Sequence, residues 1–541
     1  MTDLAWIAAR LSRQRIQRET ARHVEHLKRE PIRASRQQTS RLLEQLRRET
    51  GPHVCLGETE WGEPVHVPLR ELVRSCGVMT GGMGSGKTMA ACAIVEAIVG
   101  QLPAMRSLGF GVLDAKGELF ERTLYLLSQR LDSLSGSAQQ ELLDRIVVID
   151  FSAKHAVASY NILGRWPYTD PDYFITSRLE TLRELLPAGE KLSLRGATVL
   201  KNALVVLTDA GLPLTYLDEL LSSPALQQKL ARRTHNQAAR IFFERYMKTE
   251  GKQTIAALRS RMDALLSSEG VRLALSGSSA PDFRTLQNEG KIVLVNYSGP
   301  TVTRGVRLLL QGLVLSDIRQ AVFARPNQPP VSYIWMADEA QNFFLTEQQR
   351  TDLFDLLTMS RSYGAYFLFL CQNLSTSIPD SRLIEQLHTN IRWTLTLRGT
   401  PNDARFLRAA LPVTGRRTRP AQNPYGERTM YSPEEERSLL LDGVAHLPDR
   451  TGYLWLKARS GEAIKIRTER VAIPEGRQFR AVMDTLREEP RLGKRVPRSE
   501  YDRLMEERDR QWLENGREES TLDERMAERY REESRIWRAE S

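Results

Sequence analysis

The run Gly81-Gly82-Met83-Gly84-Ser85-Gly86-Lys87-Thr88 constrains what this chain can fold into more than any other feature. It satisfies the spacing G-x-x-x-x-G-K-[ST], in which closely set glycines let successive main-chain N–H groups turn inward around an anion at a helix N-terminus. The surroundings agree: an apolar strand, Cys76 to Thr80, precedes it, and a helix-forming stretch, Met89 to Val99, follows. The motif predicts that Gly81, Gly84, Ser85 and Gly86 cradle the phosphates of ATP, that Lys87 reaches the β- and γ-phosphates, and that Thr88 binds Mg2+.

A phosphate loop needs an acidic partner to position the metal and polarise the attacking water. Three strand-like runs end in aspartate, at Asp114, Asp150 and Asp338. Only Ile334-Trp335-Met336-Ala337-Asp338-Glu339 closes on two carboxylates, which favours Asp338 as the metal's partner and Glu339 as general base. The plainer reading is a strand ending in a solvated acidic turn. Tyr366 to Cys371 closes on Gln372-Asn373, and Gln372 is the candidate for sensing the γ-phosphate or the attacking water; its plainer role is a turn-capping amide. Arg361, Arg398 and Arg405 could each bring positive charge to the transferring phosphoryl group, in cis or from a neighbouring subunit. For each of them a surface position is at least as ordinary.

The rest of the chain predicts an α/β architecture. Phe110 to Asp114, Ile146 to Asp150, Ile292 to Asn296, Tyr333 to Asp338, Tyr366 to Gln372 and Trp393 to Leu397 are strand-like, and several are apolar at nearly every position, as in a parallel sheet covered on both faces. Tyr453 to Lys457 and Ala463 to Arg467 flank Ser460-Gly461 like a hairpin. From about Gly164 to Asn288 the periodicity is helical with no convincing strand, an all-α insertion that accounts for much of the 251 positions between Lys87 and Asp338.

Charge and cysteines bound the setting. Lys and Arg number 77 against 67 Asp and Glu, a net +10 that mildly favours a polyanionic partner. Residues 1–50 hold 12 of the cations and 6 of the anions, so more than half of the excess lies in a basic arm, which Pro31 divides into two helices. That arm could hold nucleic-acid phosphates or dock on a partner. His23 and His26 stand one helical turn apart without a second ligand pair, which is weak support for a metal. The four cysteines are scattered with no C-x-x-C, so a reducing cytoplasm is expected. No run approaches the roughly 18 to 20 apolar residues needed to span a bilayer. The last 51 residues read as a charged helical tail with a stripe at Leu522, Met526, Tyr530 and Trp537.

From about Cys55 to Arg470 the sequence resembles the conjugative coupling proteins of type IV secretion, within the FtsK and HerA group of DNA-pumping ATPases. Gly81 to Thr88 matches the family's phosphate loop and Asp338-Glu339-Ala340-Gln341 its acidic motif. Asp114-Ala115-Lys116-Gly117-Glu118 resembles its Asp-Pro-Lys-Gly-Glu, and Tyr160-Asn161-Ile162-Leu163 its Asn-Pro-Leu. Ser360-Arg361-Ser362-Tyr363-Gly364 and Gln372-Asn373 resemble the arginine-glycine and sensor elements that follow, which sets Arg361 ahead of the other arginines. Ala115 and Ile162 replace prolines, and a basic arm stands where most coupling proteins carry transmembrane helices.

The resemblance implies a RecA-like P-loop NTPase domain with a mainly parallel central sheet, working as a ring of six subunits that hydrolyses ATP and draws DNA through its pore. Partners would be DNA and a relaxase or secretion-apparatus proteins, in the cytoplasm or peripherally at the inner membrane. The expected organisation is a basic helical arm (1–50), the nucleotide-binding domain in two parts (51–163 and 289–475), the all-α insertion (164–288) and a charged helical tail (476–541). Two other readings remain: a HerA-like DNA-processing translocase without a secretion role, and a nucleotide-gated assembly or recruitment factor.

Overall fold

A computed structural model describes residues 36–185, 192–249, 252–372, 381–402, 404, 407–413 and 430–514. The expectations for residues 1–35 (Pro31, His23 and His26), for Arg405 and for the stripe at Leu522 to Trp537 lie outside the described residues. In chain order the strands are β1 (His53–Thr59), β2 (Pro64–Pro68), β3 (Cys76–Thr80), β4 (Leu108–Asp114), β5 (Ile146–Asp150), β6 (Ala156–Val157), β7 (Ile292–Asn296), β8 (Ser332–Asp338), β9 (Ala365–Cys371), β10 (Ile391–Leu397), β11 (Thr451–Leu456), β12 (Ile464–Thr468) and β13 (Val496–Pro497). The described residues form two compact units: one drawn from Met1–Leu69, Met79–Ala93 and Arg392–Arg470, the other from Arg70–Val78, Ile94–Ile391 and Val471–Ser541.

The first unit is built on antiparallel pairing. β2 pairs with β1, β1 with β12, β12 with β11 and β11 with β10. The β11–β12 hairpin lies where the sequence places it. Trp393 to Leu397 is the expected strand, and it pairs antiparallel with β11, from Trp393 against Leu456 to Leu397 against Gly452.

The second unit holds a fully parallel ladder, with β9 beside β8, β8 beside β4, β4 beside β7 and β7 beside β5. Strands β4, β5 and β7 are buried at every residue. Gly109 and Gly111 of β4 lie opposite Tyr333 and Trp335 of β8. A Cβ on Gly111 would stand 2.2 Å from the Trp335 ring and one on Gly109 2.6 Å from the Tyr333 ring, so these glycines make room for the two large aromatics.

Between β6 and β7 the described residues are helical or irregular, from Pro171–Leu185 to Phe283–Asn288. Arg178, fully buried, ties the first of these helices to its neighbours. It donates to the Ile162 carbonyl at 2.7 Å, pairs with Asp317 and lies 4.6 Å over the Phe174 ring, while the Tyr160 hydroxyl donates to Asp317 at 2.6 Å. Burying an arginine is tolerable only with such a partner set.

The segment after β12 is docked along this unit. Gly493 accepts the Val148 N–H at 3.1 Å, β13 pairs with β6, and Arg487 of the helix Gly476–Arg487 grips Asp150 at 3.0 and 3.1 Å and Glu121 at 3.2 Å. Removing Arg487 would leave the buried Asp150 carboxylate without its cation, at a cost of about 3 kcal/mol. Arg487→Ala is therefore expected to unfold at a clearly lower urea midpoint, followed by tryptophan fluorescence; a midpoint equal to wild type would show that the pair contributes nothing net. Among the described residues, no helix is long and apolar enough to cross a membrane.

Candidate functional site

In the first unit, the phosphate loop leaves β3 and enters the helix Lys87–Gly100. The Gly82 N–H donates to the Arg398 carbonyl at 2.6 Å and the Thr80 hydroxyl to that of Thr396 at 3.2 Å, which fixes the loop's first limb on β10. Gly84 and Gly86 hold φ of +74° and +100°, conformations that favour glycine. Nothing lies within 4 Å of a Cβ built on Gly84, so the turn is open there. At Gly86 a Cβ would come within 2.9 Å of Arg450, whose N–H donates to the Ser85 carbonyl at 3.0 Å.

Lys87 is buried, and its ammonium donates back into the loop, to the carbonyls of Gly81 and Gly82, the latter at 3.0 Å. The Ser85 hydroxyl is buried without a hydrogen-bond partner. Buried polar atoms are seldom left this way. A glycine cradle, an orphan hydroxyl, an inward ammonium and a helix N-terminus together suit a polyphosphate. Thr88 follows at the second helical position and offers a hydroxyl, a donor suited to Mg2+. Arg398 belongs to this unit, where its guanidinium pairs with Asp449 at 2.7 Å.

The second unit distinguishes the three strand-end aspartates. Asp114 accepts the N–H groups of Lys116, Gly117 and Phe120 at 2.8, 2.9 and 2.8 Å, so its carboxylate closes the turn into the helix Glu118–Asp132. Asp150 is taken by Ser152, Asn296 and Arg487. Asp338, also buried, accepts the Glu339 N–H at 2.9 Å, and among the described residues no other hydrogen bond to its carboxylate is found. Burial first, then the neighbouring charges of Asp114 and Glu339, push its acid up to about 7. A cation at this carboxylate would relieve both penalties, and the oxygen donor suits Mg2+.

Glu339 has φ 52° and ψ 45°, a left-handed conformation costing about 1 kcal/mol in a residue with a Cβ. Such strain persists where surrounding contacts hold it. Here Gln372, at the end of β9, donates its amide N–H to Glu339 Oε1 at 2.6 Å, Gln341 donates to Oε2, and the Lys116 ammonium pairs with Oε1. The sequence reading expects Gln372 to sense the γ-phosphate or the attacking water; in the structure its amide is donated to the Glu339 carboxylate. Lys116 and Gln341 were not picked out as site residues. The signal for Lys116 lay in its position two residues beyond a strand-end aspartate, and reading it required knowing that β4 and β8 are neighbours.

Arg361 is placed elsewhere in this unit. It is exposed in the turn Ser360–Tyr363, before β9, whereas Gln372 follows that strand. Seven strand residues span about 20 Å, so Arg361 stands at the opposite end of the sheet from Glu339 of its own chain.

No family model matches the chain, and no curated protein matches it. Among solved structures it is similar to the bacterial conjugative coupling protein TrwB in an unbound form, at 16% identity over 79% of this chain and 91% of that one, TM-score 0.47. It is also similar to TrwB in complex with ADP and Mg2+, at 14% identity over 81% and 94%, TM-score 0.46. VirB4 of Thermoanaerobacter pseudethanolicus is similar at 14% identity over 78% and 98%, TM-score 0.47.

Proposed function

We propose that this chain is an ATP-hydrolysing motor of the conjugative coupling-protein kind, which assembles as a ring of six and moves DNA, or DNA-bound protein, towards a transfer or secretion apparatus. The observation that carries the reading is the phosphate loop: open at Gly84, with an orphan Ser85 hydroxyl and the Lys87 ammonium turned into it. The order of motifs from Gly81 to Gln372 extends it to DNA transport.

In this reading the N–H groups of Gly84 to Thr88 bind the phosphates, and Lys87 exchanges the carbonyls of Gly81 and Gly82 for the β- and γ-phosphate oxygens. Thr88 would hold Mg2+ and Asp338 would order its water, and the ion would supply charge neutralisation at those phosphates. Glu339 takes the proton of the attacking water on a carboxylate oxygen, and Gln372 orients that carboxylate. Arg361, at the far end of its own sheet, serves the nucleotide of the adjacent subunit. The ring's partners would be DNA and a relaxase or secretion-apparatus protein, with the chain cytoplasmic or peripheral at the inner membrane.

The test is the ATPase rate of the full chain with and without single- and double-stranded DNA, together with its native mass. Stimulation by DNA and a six-copy mass support the motor. Tight ATP binding with a rate indifferent to DNA favours the nucleotide-gated assembly factor instead. Arg361→Ala subunits mixed with Lys87→Ala subunits should recover part of the rate that each lacks alone, because a Lys87→Ala neighbour lends its Arg361 to an intact phosphate loop; no recovery would remove Arg361 from the neighbour's site.

A further inference from the structure

We propose that Lys116 is a positioning residue that restrains the general base, holding Glu339 idle until the ion pair is broken. The inference rests on the reading of Glu339 as the base. To accept a proton from water, a carboxylate must offer that water a lone pair in the right direction. Every described partner of the Glu339 carboxylate is a donor: the Lys116 ammonium and the Gln372 amide on Oε1, the Gln341 amide on Oε2. The amides are neutral. Lys116 brings a full positive charge onto Oε1, where it competes with an attacking water for the carboxylate's lone pairs and fixes the direction in which that oxygen points.

The geometry is fixed at one end and loose at the other. Asp114 pins the main chain of Lys116 and Gly117 by their N–H groups. Gly117 has φ +88°, and a Cβ there would stand 2.3 Å from the Ser298 hydroxyl, so the turn has one course. Because β4 and β8 are parallel neighbours, with Leu113 opposite Ala337, this turn delivers Lys116 to the residue after Asp338. The Lys116 side chain is nevertheless 44% exposed, against 10% for Glu339. The base is enclosed while its restraint remains open to solvent, where a competing anion can draw the ammonium away. Among the described residues, Glu339 is the only carboxylate-bearing residue with a left-handed main chain, and it is the one that Lys116 meets.

The test compares steady-state ATP hydrolysis, without DNA, for the full-length wild type, Lys116→Met, Lys116→Arg, Glu339→Gln and the Lys116→Met/Glu339→Gln double variant. Lys116→Met should raise kcat by about fivefold, the scale of one partly exposed ion pair, with KM for ATP unchanged. Lys116→Arg should return the rate most of the way to wild type, and the double variant should be as inactive as Glu339→Gln. A Lys116→Met rate at or below wild type, or a gain that survives in the double variant, overturns the restraint. Lys116→Gln, which keeps a donor and drops the charge, guards against misfolding: it too should gain rate, and if both neutral variants melt like wild type without gaining, the proposal fails. Full turnover by Glu339→Gln alone would instead remove the base assignment, and the restraint with it.

Discussion

Replacing Lys87 by alanine is expected to cut ATP turnover by about 10²–10³-fold or more, the loss typical of removing one donor aimed at developing charge. The effect should fall on binding as well. The Lys87 ammonium is buried and already points into the loop, so its free energy is committed to whatever anion displaces the carbonyls of Gly81 and Gly82. Charge-assisted hydrogen bonds contribute about 1.5–3 kcal/mol, and alanine forfeits them in both the bound and the transition state. Phosphate release gives the rate, titration with a fluorescent nucleotide gives the affinity, and circular dichroism checks that the helix Lys87–Gly100 persists. Wild-type turnover in this variant would place the chemistry outside the loop.

Glu339→Gln should separate the two quantities that Lys87→Ala lowers together. Glutamine is close in shape to glutamate and can accept from Gln372 through its carbonyl, but it cannot take the proton of an attacking water. General-base catalysis contributes about 10²–10⁴-fold, so kcat should fall by that factor while ATP remains bound. The local main chain favours a clean result: the left-handed turn at Glu339 belongs to the backbone, and its N–H bond to Asp338 is kept. Single-turnover hydrolysis alongside equilibrium nucleotide binding reads both. Normal single-turnover kinetics would transfer the base to another group.

These expectations were readable from the sequence to different depths. The strand cores were plain, because Ile146–Asp150 and Ile292–Asn296 are apolar on both faces and end at polar turns. The direction of β10 was not, since its partner β11 lies some fifty residues on and leaves no mark on β10 itself. The choice of Asp338 over Asp114 and Asp150 followed from a second carboxylate in sequence. The structure adds what the sequence could not carry, that turn amides occupy Asp114 and Arg487 occupies Asp150. Arg361 and Gln372 sit close in one motif series, yet a whole strand separates them. Lys116 shows the reverse: distant from Glu339 in sequence and paired with it through strand order alone. The segment around Gly493 read as part of a charged extension, because its docking depends on one glycine carbonyl and a few arginines rather than on an apolar stripe.

That docking bears on how copies of this chain behave beside one another. Among the described residues β5 has a single strand neighbour, β7, and a terminal strand with free amides is a template on which a second molecule can add a strand of its own. By receiving the Val148 N–H, Gly493 blunts the template from within the same polypeptide. Two copies of the chain that meet at this edge then find one amide of the strand already taken, which removes one point at which they could stack.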